Sequence, residues 1–211
     1  MKTSSALMPL ALLVTLTGCV GSLIGGGKPA QLYQLERAGA GAPAIPPSAG
    51  RIAIQLQPIR FAPGIEGDRI LTLTGQQALY LKDVRWIADA PALFDHALHA
   101  GFARRAPNLL LVDDHARGGA AALLQITVTH FEAVYAGNAD RAADMAPMVR
   151  IDAEALLLRP GNRGIIAQQR FSSEIPANAN RVGPIVDAFG EASETVVDKL
   201  ADWSRMSVAV N

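Results

Sequence analysis

Residues 148–159 read Met-Val-Arg-Ile-Asp-Ala-Glu-Ala-Leu-Leu-Leu-Arg, the clearest strand in the chain. Val149, Ile151, Ala153, Ala155 and Leu157 alternate with Arg150, Asp152 and Glu154, the period of a strand with one face buried and the other wet. On its N-terminal side, Leu123–Tyr135 repeats the pattern, with Leu124, Ile126 and Val128 on one face and Gln125, Thr127 and Thr129 on the other. Residues Gly137–Ala146 between them are polar and suit a hairpin tip. On the C-terminal side, Pro160-Gly161-Asn162-Arg163-Gly164 supplies turn chemistry before Ile165–Ile175 returns. Three neighbours joined by turns predict an antiparallel meander.

Upstream, Arg51–Gln57 alternates Ile52, Ile54 and Leu56 with polar residues and should end at Pro58, which has no N–H for a ladder. Ile70–Thr74 and Ala78–Leu81, separated by Gly75-Gln76-Gln77, predict a short hairpin leading to Trp86, and Leu109–Val112 reads as a short buried strand. Two segments change to a helical period. Over Asp89–Arg105, Asp89 suits the N-cap and Pro91 the first turn. Phe94, Leu98 and Gly101 or Phe102 recur at three- and four-residue steps, and Arg104-Arg105 lie where cations suit the helix dipole. Over Gly183–Met206, Ile185, Phe189, Ala192, Val196, Leu200 and Trp203 form one stripe, with Asp187, Glu191, Glu194 and Asp198 opposite. The expected fold class is α+β: a two-layer sandwich of five or six strands in a mixed or mostly antiparallel sheet, two helices packed on one face.

The beginning of the chain has different chemistry. Lys2 precedes an apolar run from Ala6 to Leu16, about half the ~20 residues a membrane-spanning helix needs. Leu16-Thr17-Gly18-Cys19 follows, the layout of a bacterial lipoprotein signal. Cleavage is expected between Gly18 and Cys19, with acylation of the Cys19 thiol by palmitate-type chains. The competing reading is a chance cysteine at the end of an ordinary signal or anchor. Cys19 is the sole cysteine, so an exported chain has no internal disulfide to place it in, and lipidation accounts for it. The expected organisation is therefore 1–18 signal peptide, 19–30 lipidated cysteine and flexible tether, and 31–211 periplasmic domain. Val20–Ala30 is glycine-rich, with an r.m.s. span of about 20 Å. Gln31–Leu35 reads as a short strand that docks this tether, and Ala38–Gly50 is too rich in Gly and Pro for regular structure. Val20 and Gly21 place no acidic residue after Cys19, which favours sorting to the outer membrane.

Half of the residues are apolar and 18% are charged, as in a globular domain. Basic and acidic residues balance at 19 each, and loss of Lys2 with the leader leaves one acid in excess. Nucleic acid and polybasic attachment to anionic lipid are thereby disfavoured. Catalytic signals are lacking. Gly21–Lys28 resembles a phosphate-binding loop only faintly, because Pro29 replaces the hydroxyl residue and no strand precedes it. Ser172-Ser173 sits in a strand without an evident base. His96 and His99, three apart on a helix, could join Asp113, Asp114 and His115 around a metal, or could be solvated histidines beside a polar turn. No catalytic residue, metal or cofactor is assigned. Tyr33, Tyr80 and Trp86 could equally line the helix–sheet seam or an interface, whereas Trp203 reads as core.

Taken together, the Cys19 motif, Tyr33-Gln34-Leu35, the Ile52/Ile54/Leu56 strand ending at Pro58, Tyr80-Leu81 and Val84-Arg85-Trp86 before a helix with Leu93 and Leu98 form a pattern. With the closing meander and amphipathic helix, the chain resembles the ABC-type transport auxiliary lipoprotein family, the PqiC-like lipoproteins. Its Gly/Pro segment between Tyr33 and Arg51 is longer than the family's. The resemblance implies a non-catalytic partner of an MCE-type lipid transport system: an MCE-domain protein with its permease and ATPase, met at the outer membrane. It marks Tyr33, Leu35, Tyr80 and Trp86 as family-motif or interface positions. An exposed sheet edge could pair with a partner or a second copy, and homo-oligomer rings would match ring-forming MCE proteins. The alternative class is a structural outer-membrane lipoprotein supporting lipopolysaccharide or β-barrel assembly.

Overall fold

The computed structural model of the chain describes residues 29–35, 50–113, 119–137 and 145–209. Signal, lipobox and most of the tether, including Gly18 and Cys19, lie outside the described residues, as do Asp114, His115 and most of the hairpin tip between Gly137 and Ala146. The strands run β1 (Gln31–Tyr33), β2 (Ile52–Leu56), β3 (Arg60–Phe61), β4 (Leu71–Thr74), β5 (Gln77–Tyr80) and β6 (Val84–Trp86). Helix α1 (Ala90–Arg105) follows, then β7 (Leu109–Val112), β8 (Ala122–Tyr135), β9 (Met148–Leu158), β10 (Ile165–Pro176) and helix α2 (Val182–Ala209).

The expected α+β sandwich is what forms. Strands β8, β9 and β10 make the antiparallel meander. Along β9 the alternation becomes burial: Val149, Ile151, Ala155 and Leu157 are fully enclosed. The other half of the sheet is parallel. β2, β3 and β4 lie one after another along the free side of β8, pairing Leu56 with Leu124, Phe61 with Val128 and Thr74 with Tyr135. They are three instalments of one edge, interrupted at Pro58, where the ladder loses a donor, and again by the loop of residues 62–70. β7 pairs in parallel with β2, and β5 folds back on β4, completing a mixed eight-stranded sheet. The β4–β5 turn has positive φ at Gly75 alone of its two central residues, the pattern of a type II′ hairpin turn.

The described residues hold more strands than the five or six expected: β1 forms within the short strand read at Gln31–Leu35, while β3 and β6 are too short to show a period. A bulge between Val128 and His130 also shifts the phase of β8. Leu124, Ile126 and Val128 point inward, and one extra residue then brings Phe131 and Ala133 to the same face.

Both helices cover that face. Asp89 stands at the N-cap of α1, but its side chain makes no capping bond; its carbonyl accepts from Ala92 and Leu93 N–H at 3.0 and 3.2 Å. The helices close on each other at Gly101, where a Cβ would lie 2.1 Å from Val197 Cγ1, so only glycine fits that backbone. At the rim, Arg104 reaches Asp198 at 2.5 Å and Glu194 at 3.2 Å, and Arg105 reaches Asp202 at 2.5 Å. The basic pair is thus partnered by the acidic side of α2 as well as by its own helix dipole. An aromatic chain ties the layers together: Phe94 to Phe61 (5.9 Å), Phe61 to Phe131 (5.6 Å), and Phe131 to Phe189 (5.0 Å).

Candidate functional site

The sequence-marked residues converge on one corner, where the chain enters the domain. The turn after β5 ends at Asp83, a non-glycine residue with φ of 56°, a conformation aspartate tolerates better than most. Its carbonyl accepts the Gln31 N–H at 2.9 Å. From there β1 runs parallel to β6, setting Gln31 opposite Val84, Leu32 opposite Arg85 and Tyr33 opposite Trp86. The Ile87 N–H then donates to the Tyr33 carbonyl at 2.8 Å.

Leu35 ends the docked stretch with its side chain 3% exposed, inside the core. Its carbonyl presses on α2: a Cβ built on Gly190 would sit 2.8 Å from the Leu35 oxygen. Glycine in mid-helix costs about 1 kcal/mol of propensity, and here it lets a backbone carbonyl approach. Trp86 resolves toward the core, 2% exposed and edge-on to Phe189 at 5.3 Å, with Phe131 at 6.1 Å. Buried aromatic pairs add about 0.5–1.5 kcal/mol beyond their area.

The tyrosines are half-buried and locally tied. Tyr33 donates to Gln31 Oε1 at 3.0 Å, and Tyr80 donates to the Gly64 carbonyl at 3.0 Å while the Arg69 guanidinium stacks 3.7 Å from its ring centroid. Arg85, facing outward, binds both oxygens of Asp68 at 2.8 Å. Gly67 and Asp68 accept the Ala90 and Trp86 N–H groups, so the loop before β4 closes the other side of β6. The four positions therefore divide: Leu35 and Trp86 fix the entry of the chain, while Tyr33 and Tyr80 brace its surface.

Two further features lie elsewhere. Glu132 is 2% exposed on β8, opposite Leu71 on one side and Arg150 on the other. Its Oε2 accepts the Phe131 N–H at 2.6 Å and its Oε1 has no partner. Burial pushes this carboxyl above the ordinary range, opposed by the Phe131 bond and by His130 and Arg150. After the bulge Glu132 shares a face with Arg150, opposite to Phe131 and Ala133, where alternation predicts a wet residue, so no periodicity argument marks this acid as buried. Between β10 and α2 runs a shallow groove of about 420 Å³ lined by Phe171, Ser172, Lys199, Trp203 and Met206. Trp203 packs edge-on to Phe171 there at 5.6 Å, and Lys199 Nζ donates to the Ser172 carbonyl on the sheet edge at 3.0 Å.

The histidine cluster does not assemble among the described residues. His99 Nδ1 faces its own turn, 3.0 Å from the Asp95 carbonyl and 3.6 Å from its carboxylate. Among the described residues no group of three His, Cys, Asp or Glu side chains is placed to hold a metal. None of their helices is long and apolar enough to cross a membrane.

Residues 33–201 match the model of the ABC-type transport auxiliary lipoprotein component. The chain belongs to this family. The match begins at Tyr33, inside the docked strand, and ends within α2, so it takes in the entry corner except Gln31 and Leu32. Among proteins of curated function, none matches this sequence. Solved structures share the fold. Protein XCC0632 from Xanthomonas campestris superposes with a TM-score of 0.67 at 19% identity, over 85% of this chain and 98% of that one. An uncharacterised protein gives 0.62 at 17% identity, over 84% and 99%. The hypothetical protein CT253 from Chlamydia trachomatis gives 0.51 at 12%, over 76% and 99%. The family places the auxiliary lipoprotein with an ABC-type transport system, as an accessory component.

Proposed function

We propose that this chain is a lipid-anchored, non-catalytic adaptor on the periplasmic face of the outer membrane. There it would serve an MCE-type system that moves lipid between membranes under power from an inner-membrane ABC transporter. The family match over residues 33–201 carries this reading. The sequence around Cys19 supports the anchor: several acyl chains at about 0.8 kcal/mol per buried methylene hold essentially permanently. The domain architecture supports an adaptor, because the entering strand is clamped to the body. A clamped, tethered domain is confined near its membrane, which raises its effective concentration for any partner that reaches there. The outer edge of β10, last in the sheet order, suits pairing with a partner strand or a second copy.

Labelled palmitate is expected to enter the wild-type chain and not Cys19→Ser; labelling that survives this substitution would refute the anchor. Crosslinking in the intact envelope followed by purification is expected to capture an MCE-domain protein. Recovery of β-barrel assembly components in its place would overturn the transport reading in favour of envelope assembly.

A further inference from the structure

Three of the most exposed large apolar side chains lie close, in pairing or along the chain, to the point where β1 enters the body. Leu32 is 60% exposed, Leu79 55% and Ile87 52%. Leu32 stands opposite Arg85 in the β1–β6 register, so both project outward, and Ile87, the residue after β6, is tied to the same strand by its N–H on the Tyr33 carbonyl. Leu79 lies four residues before Asp83, whose carbonyl holds Gln31. Scattered exposed leucines are normal on a protein surface, but a group at one corner marks a contact surface.

We infer that this corner rests on the lipid surface, with Leu32, Leu79 and Ile87 entering the headgroup–acyl boundary beside the tether. The inference rests on the proposed anchor at Cys19. The tether decides the occupant. Residues 20–30 are all that separates that cysteine from β1, so Gln31 lies within about 40 Å of it even with the chain between fully extended. The corner at Gln31 is the part of the body that must stay within that reach, while surfaces farther from it can swing away from the bilayer. Its charges are balanced: Arg85 is paired with Asp68 at 2.8 Å, and Lys82 neighbours Asp83. Attraction is therefore apolar, indifferent to anionic lipid and little affected by salt.

The test uses the full lipidated chain in vesicles of phosphatidylethanolamine and phosphatidylglycerol carrying a doxyl-labelled lipid quencher. Acylation consumes the Cys19 thiol, so a thiol-reactive bimane reports only an introduced cysteine. Leu79→Cys and Ile87→Cys are the reporters and Ile165→Cys the control. Ile165 is 57% exposed and sits level with Leu123, whereas Leu79 sits level with Ala133. Ten residues of strand separate those levels, about 30 Å. Quenching is expected at 79 and 87 and absent at 165, unchanged in high salt. With the label on Lys82→Cys, combining Leu32→Gln, Leu79→Gln and Ile87→Gln should weaken contact by about tenfold, or 1.4 kcal/mol.

Vesicle flotation with no quenching at 79 and 87, or with equal quenching at 165, overturns the inference and leaves the anchor standing. Label-to-label contact between copies at 79 and 87 without lipid quenching also overturns it, assigning the corner to a second copy. A wild-type chain that fails to float removes the anchor and this inference with it.

Discussion

Replacing Gly190 by alanine sets two effects of similar size against each other. In a helix interior, alanine is favoured over glycine by about 1 kcal/mol. The added Cβ, however, would stand 2.8 Å from the Leu35 carbonyl oxygen, where carbon–oxygen contacts ordinarily begin at about 3.3 Å. Neither partner can turn aside, since both the helix and the carbonyl are backbone. The carbonyl must retreat, and with it the segment that Leu35 ends. That segment is only marginally held: burying Leu35 contributes at most about 1.5–3 kcal/mol, while ordering each residue costs about 1–2 kcal/mol. Gly190→Ala should therefore release β1 while leaving global stability within about 1 kcal/mol of the wild type, since the helix itself gains. Hydrogen exchange reads this directly. The Gln31 and Ile87 amides, which donate to Asp83 and Tyr33, should lose protection while β8 and β9 amides keep theirs. Gly183, with nothing within 4 Å of its Cβ position, is the control: Gly183→Ala should leave β1 protected. Protection retained in Gly190→Ala would refute the clamp. A fall of several kcal/mol in global stability would show instead that the contact belongs to the core.

Three more outcomes follow from the packing. Glu132→Gln should stabilise the domain at neutral pH: the buried acid keeps its proton longer folded than unfolded, so wild-type stability falls as pH rises from the ordinary carboxylate range through the raised value. The advantage of the glutamine should vanish in acid and grow across that window, read by urea denaturation at stepped pH; an advantage independent of pH would refute the assignment. Trp86→Ala should cost about 3–5 kcal/mol in urea unfolding, because it empties a site shared by Phe131 and Phe189. Arg104→Ala, by contrast, should cost no more than about 1 kcal/mol and less in high salt, since its pairs with Asp198 and Glu194 are solvated.

What the sequence made legible was whatever one face of a single element records. The alternation at Val149, Ile151 and Leu157, and the helical stripe from Ile185 to Trp203, each survive in the structure because burial acts locally along one strand or helix. The parallel half of the sheet was not legible. Which strand β2, β3 and β4 accompany depends on pairings with residues sixty or more positions away, and no local period encodes them. The same limit applied at the candidate site. Trp86 looked equally suited to seam and interface until Phe131 and Phe189 were placed around it. Nothing in the sequence singles out Gly190, and only the approach of Leu35 gives it a role. Gln31–Leu35 reads as a short strand from its own residues, but its partners across the fold, β6 and Gly190, leave no local trace.

The clamp also bears on how an anchored domain can transmit position. A tether joined to a loose terminus would leave the body free to rotate, and the anchor would set distance alone. Here the entering strand is fixed at both ends, by Asp83 at Gln31 and by Gly190 at Leu35. Between them it pairs with β6, whose Trp86 lies against Phe131 of the central strand and Phe189 of α2. The orientation of the first ordered residues is thus coupled to both layers of the sandwich through rigid aromatic contacts. If this rigid entry also rests on the bilayer through Leu32, Leu79 and Ile87, as inferred above, the body is turned one way before a partner arrives, which a flexible tether alone would not achieve. Preorganisation of this kind reduces the rotational freedom lost on association.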